Sequence, residues 1–272
     1  MGIPYAEVIG DPIAHSKSPL IHKHWLARLG LEGDYRATRV APEDLPAFIA
    51  RRRADPDWRG CNVTIPHKER ILPLLDAIEP GAAEIGAVNC VAPQGGALTA
   101  TNTDIDGVAA ALSGASLEGR KVALIGAGGG ARAALRYLLS QRPPRIAILV
   151  RNPAKAAHFA GGAVEVLPLD RCEDGLASVA AIVNASPMGM AGCPEMPDPL
   201  LAAVTRNAPG TVLFDMVYKP LETRFLAAGA AAGGVPVDGL TMLIGQARAA
   251  FERFFGRPPP PDDGSLRHLL TT

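Results

Sequence analysis

The stretch Lys121 to Leu139, KVALIGAGGGARAALRYLL, limits what this chain can fold into more than any other part of it. A short β-favouring run, Val122 to Ile125, breaks into glycines, which give way at once to an alanine- and leucine-rich helical pattern. That order is strand, tight turn, helix. Set against the G-x-G-x-x-G/A fingerprint of dinucleotide sites, Gly126 supplies the turn, Gly128 lets the backbone approach a pyrophosphate, and Ala131 keeps the helix close to the sheet. The first helical turn then presents free N–H groups and a positive dipole end to phosphate.

From Leu117 onward strand and helix alternate regularly. Strands are expected at Val122 to Ile125, Ile146 to Val150, Val164 to Leu167, Ala181 to Asn184, Val212 to Asp215 and Val235 to Val237. Alternating units of this size predict a parallel, doubly wound sheet, an α/β fold. The second strand ends in LVRNPAKA, at the distance where a dinucleotide site reads the adenosine ribose. An NAD site would place Asp or Glu there; Arg151 and Lys155 suit the 2′-phosphate of NADP instead. The segments NASPMGM (Asn184 to Met190) and DMVYKPLET (Asp215 to Thr223) leave the carboxyl ends of their strands, where open α/β sheets place ligands.

The front of the chain has a different character. It opens on a strand at Tyr5 to Ile9 with no basic or signal-like leader, followed by GDPIAHSKSPLIHKHWLARLGL. There Ser18 suits a helix N-cap and Pro19 the first helical position. Ser16 and Ser18 read either as caps or as neutral donors for the carboxylate of a small organic acid. In GCNVTIPHKERILPLL, Asn62 and Thr64 alternate with Val63 and Ile65, so the polar pair is expected on one strand face and the apolar pair on the other. Buried polar side chains need partners, which favours a ligand beside them. Lys68 follows at the bend. GAVNCV (Gly86 to Val91) reads as a further strand carrying Asn89, and LTATNTDIDG runs to a loop whose Asn102, Thr103 and Asp104 form a polar cluster. Near the end, Leu243, Ala247, Ala250, Phe251 and Phe254 recur at helical spacing, with Gln246 beside the stripe, before the linker-like RPPPPDDGS.

At 272 residues the chain has room for two domains. Its 27 basic and 27 acidic residues balance, giving no electrostatic footprint for nucleic acid or an anionic membrane. No apolar run reaches membrane-spanning length. The four cysteines show no C-x-x-C spacing and the six histidines no ligand pattern, so no metal is expected and a reducing cytoplasm is. The expected partner is a small molecule.

Taken together, HSKSP, NVTIPHK, GAVN, TNTDIDG, GAGGGARA, NASPMGM, DMVYKP and DGLTMLIGQ, in this order, resemble the shikimate dehydrogenase family over nearly the whole chain. The resemblance implies a substrate-binding catalytic domain (1–105 and 240–272) and an NADP-binding Rossmann domain (106–239), present as a monomer or homodimer. It implies reversible NADPH-dependent reduction of 3-dehydroshikimate to shikimate in the aromatic amino acid (chorismate) pathway. Carried over by position, Ser16, Ser18, Asn62, Thr64, Asn89, Asp104, Tyr218 and Gln246 would hold shikimate, and Lys68 and Asp104 match the catalytic pair. On the cofactor side the matches are Gly126, Ala127, Gly128, Gly129, Gly130 and Ala131, then Val150, Arg151, Asn152 and Lys155, then Met216, Gly239 and Met242. The sequence departs from the family once: many members have Asn-Arg-Thr or Asn-Arg-Ser where this chain has Val150, Arg151 and Asn152, which removes one adenosine-side hydrogen bond. In such a reaction negative charge gathers on the carbonyl oxygen, and a lysine ammonium oriented by an aspartate is a suitable proton donor. A quinate/shikimate dehydrogenase and a catalytically silent NADP-binding sensor are the alternatives.

Overall fold

The computed structural model describes residues 2–272. The chain divides into two compact units, one running to Thr103 and resuming over Gln246–Thr272, the other spanning Asp104–Gly245.

The first unit is built on a mixed six-stranded sheet. In chain order its elements are β1 (Tyr5–Gly10), α1 (Ser18–Leu29), β2 (Asp34–Arg39), α2 (Leu45–Arg53), β3 (Trp58–Val63), α3 (His67–Arg70), β4 (Ala77–Ile78), α4 (Pro80–Ile85), β5 (Cys90–Gln94) and β6 (Ala97–Thr101). The strand order is β2-β1-β3-β5-β6-β4, with β1 parallel to both neighbours and β5 antiparallel to β3 and β6. Every residue of β1 is buried, and its side chains alternate between two cores. Tyr5 and Ile9 join Trp58, Val63 and Leu98, whereas Ala6 and Val8 join Tyr35, Ala250 and Phe254. Glu7, fully buried on this strand, is held by both guanidinium contacts of Arg52, at 2.6 and 3.2 Å, and by the Thr38 hydroxyl at 2.6 Å. A buried carboxylate needs that degree of pairing.

The second unit begins with α5 (Asp104–Ala111) and continues through β7 (Val122–Ile125), α6 (Gly129–Ser140), β8 (Ile146–Val150), α7 (Pro153–Ala156), β9 (Val164–Pro168), α8 (Cys172–Leu176), β10 (Ala181–Asn184), α9 (Asp198–Asn207), β11 (Val212–Asp215), α10 (Arg224–Ala231) and β12 (Val235–Val237). The six strands expected from the sequence all form, in the order β12-β11-β10-β7-β8-β9, and every pairing is parallel. This is the doubly wound arrangement. The order reverses beside β7, which is the switch point at which such sheets bind ligands. Successive strand residues serve opposite faces: Val122, Leu124, Ile146, Ile148 and Val183 pack with Val108 of α5 and Ala131, Leu135 and Leu138 of α6. Ala123, Ile125, Ala147, Leu149 and Ile182 pack with Leu176, Leu200, Val204 and Phe225 on the other side. Strands covered on both faces explain the continuous apolar runs VALI and IAILV. The helix α11 (Gly239–Phe255) then carries the chain back to the first unit, where α12 (Ser265–Thr271) ends it.

Three local expectations are corrected. Ser18 is not the N-cap of α1: it is the first helical residue, the cap position falls to Lys17, and the Ser18 N–H donates instead to Ser16 Oγ at 3.3 Å. The alternation expected over Asn62 to Ile65 stops at Val63, because the chain turns there and leaves Ile65 74% exposed rather than beside Val63. Gly86 to Asn89 is not strand; β5 begins only at Cys90, after Gly86 has closed α4 in a left-handed conformation at φ 69°.

Candidate active site

In the first unit the polar residues singled out from the sequence are joined by a chain of hydrogen bonds. The Asn62 side chain, on β3, donates from Nδ2 to the backbone oxygen of Asn89 at 3.1 Å. Its Oδ1 accepts from the Tyr35 hydroxyl at 2.6 Å. Asn89 Oδ1 accepts from the Thr103 N–H at 2.7 Å and from the Thr103 hydroxyl at 3.1 Å, and that hydroxyl also lies 3.3 Å from Gln246 Oε1 on α11. Asn62, Asn89 and Gln246 thus come together although they are spread over most of the chain. Asn102 and Thr103 are buried rather than lining an open surface; Asn102 donates to the Ala87 carbonyl at 3.0 Å.

Lys68, on α3, is half-buried, and its carbonyl accepts from the Val88 N–H at 2.9 Å, which ties the lysine to the segment that carries Asn89. Thr64 holds the turn that leads to it: the Thr64 N–H donates to Ile9 at 3.0 Å, and its carbonyl accepts from His67 at 2.9 Å. Asp104 opens α5, directly after the Thr103 N–H that Asn89 captures.

The second unit supplies the glycine turn. Gly126 sits at φ 107°, and a Cβ there would lie 3.1 Å from the backbone of Ala185 and Ser186. Only glycine meets both demands without strain. Cβ atoms at Gly128 and Gly129 would meet nothing, so the space before the first turn of α6 is clear, and no side chain caps that helix. Gly130 faces the Met216 sulfur and Ala131 is buried against the sheet. Val150, the last residue of β8, is buried, whereas Arg151, Asn152 and Lys155 are exposed just beyond it. Asn152 Oδ1 accepts from the Lys155 N–H at 3.4 Å as the cap of α7. Gly239 packs on the backbone of Met216 and Val217 so closely that a Cβ would fall 2.4 Å from the Met216 oxygen. Met216, Ala127 and Met242 flank the adjoining core. The clear helix end, the glycine turn and the exposed basic pair after the second strand fit NADP: the helix N–H groups could take the pyrophosphate, and Arg151 and Lys155 could take the 2′-phosphate.

The two loops beyond β10 and β11 are fixed by a cluster that the sequence reading passed over. Asp215 is fully buried and accepts from the Thr223 hydroxyl at 2.6 Å, the Val217 N–H at 3.0 Å and Asn184 Nδ2 at 3.0 Å. Burial pushes its carboxyl up to about 6, although these three donors act in the opposite direction. Asn184 Oδ1 in turn accepts from the Ser186 hydroxyl at 2.6 Å. The loop so anchored carries Tyr218, 39% exposed. The signal in the sequence was a polar residue at the last position of two otherwise apolar strands. Tyr35 was missed as well, since nothing in DYRAT marks its partner. Among the described residues no group of three His, Cys, Asp or Glu side chains is placed to hold a metal ion, and no helix is long and apolar enough to cross a membrane.

Family models cover most of the chain. The shikimate dehydrogenase substrate binding domain matches residues 8–91, shikimate / quinate 5-dehydrogenase residues 108–189, and the shikimate 5'-dehydrogenase C-terminal domain residues 239–263. The shikimate dehydrogenase (NADP(+)) of Sphingopyxis alaskensis is 50% identical, over 98% of this chain and 97% of that protein. Among solved structures, shikimate 5-dehydrogenase from Listeria monocytogenes in complex with shikimate and NAD superimposes with a TM-score of 0.88 at 29% identity, covering 98% of this chain and 96% of that one. The Thermus thermophilus enzyme in complex with NADP(H) and shikimate gives a TM-score of 0.81 at 34% identity, covering 95% and 96%.

Proposed function

The chain belongs to the shikimate dehydrogenase family, and we propose that in its reaction Lys68 and Asp104 handle the proton while Ser16, Ser18, Asn62, Thr64, Asn89, Tyr218 and Gln246 hold the acid. It is an NADP-dependent oxidoreductase that interconverts 3-dehydroshikimate and shikimate. NADPH supplies the hydride that reduces the ring carbonyl. As negative charge gathers on that oxygen, the Lys68 ammonium stabilises it and delivers the proton, and the Asp104 carboxylate orients the ammonium. The hydroxyls of Ser16 and Ser18 suit the carboxylate of the acid, and the amides of Asn62, Asn89 and Gln246, with the Thr64 hydroxyl, suit its ring oxygens. Arg151 and Lys155 select NADP over NAD.

One observation carries the assignment. The Val88 N–H donates to the Lys68 carbonyl and the Thr103 N–H donates to Asn89 Oδ1, so one short segment holds both Lys68 and the residue that precedes Asp104. None of the four cysteines forms a disulfide, which fits a cytoplasmic enzyme. Steady-state kinetics with shikimate and quinate, each against NADP and NAD, tests the substrate and cofactor. Lys68→Ala tests the mechanism: turnover falls by orders of magnitude while NADPH binding stays nearly unchanged. Near-normal turnover would remove Lys68 from the reaction.

A further inference from the structure

We infer that Tyr35 is a positioning residue for the substrate: its hydroxyl donates to Asn62 Oδ1 and locks the amide in the orientation that the Asn89 carbonyl selects, and so holds the polarity that Asn62 offers the acid. The inference rests on the assignment of Asn62 to the substrate made above.

The geometry begins with the sheet. Tyr35 lies on the edge strand β2, paired with Ala6 of β1, which in turn pairs with Gly60 of β3. The small Ala6 beside it lets the Tyr35 side chain reach along the sheet to Asn62, which is paired with Val8, while the Phe254 ring fills the space over Gly60. The ring is fully buried and cannot swing. It is stacked on the His22 imidazole at 4.0 Å and 7° between planes, and Phe254 flanks it at 6.4 Å.

The hydrogen bonds then determine direction. The Asn89 backbone oxygen can only accept, so the Asn62 atom facing it is the NH2 group, and the one facing Tyr35 is the carbonyl oxygen. The phenol therefore donates. Asn62 is 6% exposed, and with Oδ1 held at 2.6 Å by Tyr35 and Nδ2 tied to Asn89 it has a single orientation. Without the hydroxyl the amide oxygen would be buried and unpartnered, and rotation of the side chain would become the means of relieving it.

The test is Tyr35→Phe, which keeps the ring against His22 and removes only the hydroxyl. With wild-type folding verified by near-UV circular dichroism, KM for shikimate rises roughly ten-fold or more, the size expected when a buried amide oxygen loses its donor, while KM for NADP is unchanged. Tyr5→Phe is the control, because Tyr5 is also buried and also loses a short bond, to Asp55 at 2.6 Å; it leaves KM for shikimate at the wild-type value. In an Asn62→Ala background, Tyr35→Phe loses most of its effect on KM. An unchanged KM in folded Tyr35→Phe, an equal rise in Tyr5→Phe, or a full multiplicative effect on top of Asn62→Ala would each overturn the inference. Absence of shikimate oxidation by the wild-type enzyme would instead overturn the assignment on which it rests.

Discussion

The His22 imidazole gives the most quantitative handle on the first unit. It is fully buried among Trp25, Tyr35, Phe251 and Phe254, and neither ring nitrogen has a hydrogen-bond partner. Burial alone holds its pKa down to about 3, against an ordinary 6.5. Between those two values the unfolded chain carries one proton here that the folded chain does not, so stability rises with pH across the window and is lost as pH falls. From pH 7 to pH 5 the loss comes to about 2 kcal/mol, from 1.36 kcal/mol per unit over the part of that range below 6.5. Asp215, raised to about 6 from 3.8, contributes with the opposite sign between those values, since there the folded state holds the extra proton. Its contribution is common to wild type and variant and cancels in their difference. The perturbation is His22→Phe, which keeps an aromatic ring against Tyr35 and cannot titrate. The assay is urea unfolding at a series of pH values followed by tryptophan fluorescence, which reports on the right unit because Trp25 and Trp58 are the chain's two tryptophans. The stability of His22→Phe relative to wild type should grow by about 2 kcal/mol from pH 7 to pH 5, whatever its offset at pH 7. A difference that stays flat over that range would refute the reasoning that the packed aromatic surroundings keep this imidazole neutral.

Two further outcomes are expected in the second unit. Arg151→Ala should weaken NADP more than NAD by ~1.5–3 kcal/mol, the range for a hydrogen bond to a charged group, measured as separate dissociation constants; equal losses would make the basic pair solvated surface. Gly126→Ala forces a side chain into a backbone at φ 107° and against Ala185 and Ser186, and should lower stability by ~1–3 kcal/mol and weaken both dinucleotides together. Unchanged thermal unfolding and unchanged cofactor affinity would show that the turn tolerates a Cβ.

Much of the fold was legible because its signals are local. The apolar runs of β7, β8 and β10, the glycine at the turn and the helical spacing in α6 each act within a few residues, through backbone sterics and side-chain periodicity. The candidate residues were legible for a related reason: Asn62, Asn89 and Asp104 are polar groups in segments that otherwise read as buried or capping, and a polar group in such a place needs a partner. Where the chain turns was harder to read. Ser18 and the residues after Val63 were misplaced by a residue or two, because the Ser18 N–H bond to the Ser16 hydroxyl and the Thr64 N–H bond to the Ile9 carbonyl, not the preferences of Ser18 and Thr64 themselves, decided those boundaries.

By itself, then, the amino-acid order determined the strand-turn-helix alternation, the glycine that must occupy Gly126 and the kinds of side chain available for binding and proton transfer. Tertiary structure alone decided their partners. Tyr35 and Asn62 are 27 positions apart, Thr103 and Gln246 are 143 apart, and the burial that raises Asp215 is produced by elements that close over it. Hydrogen bonding and desolvation depend on distances in space, and those distances are set by sheet register and packing, which no local preference encodes.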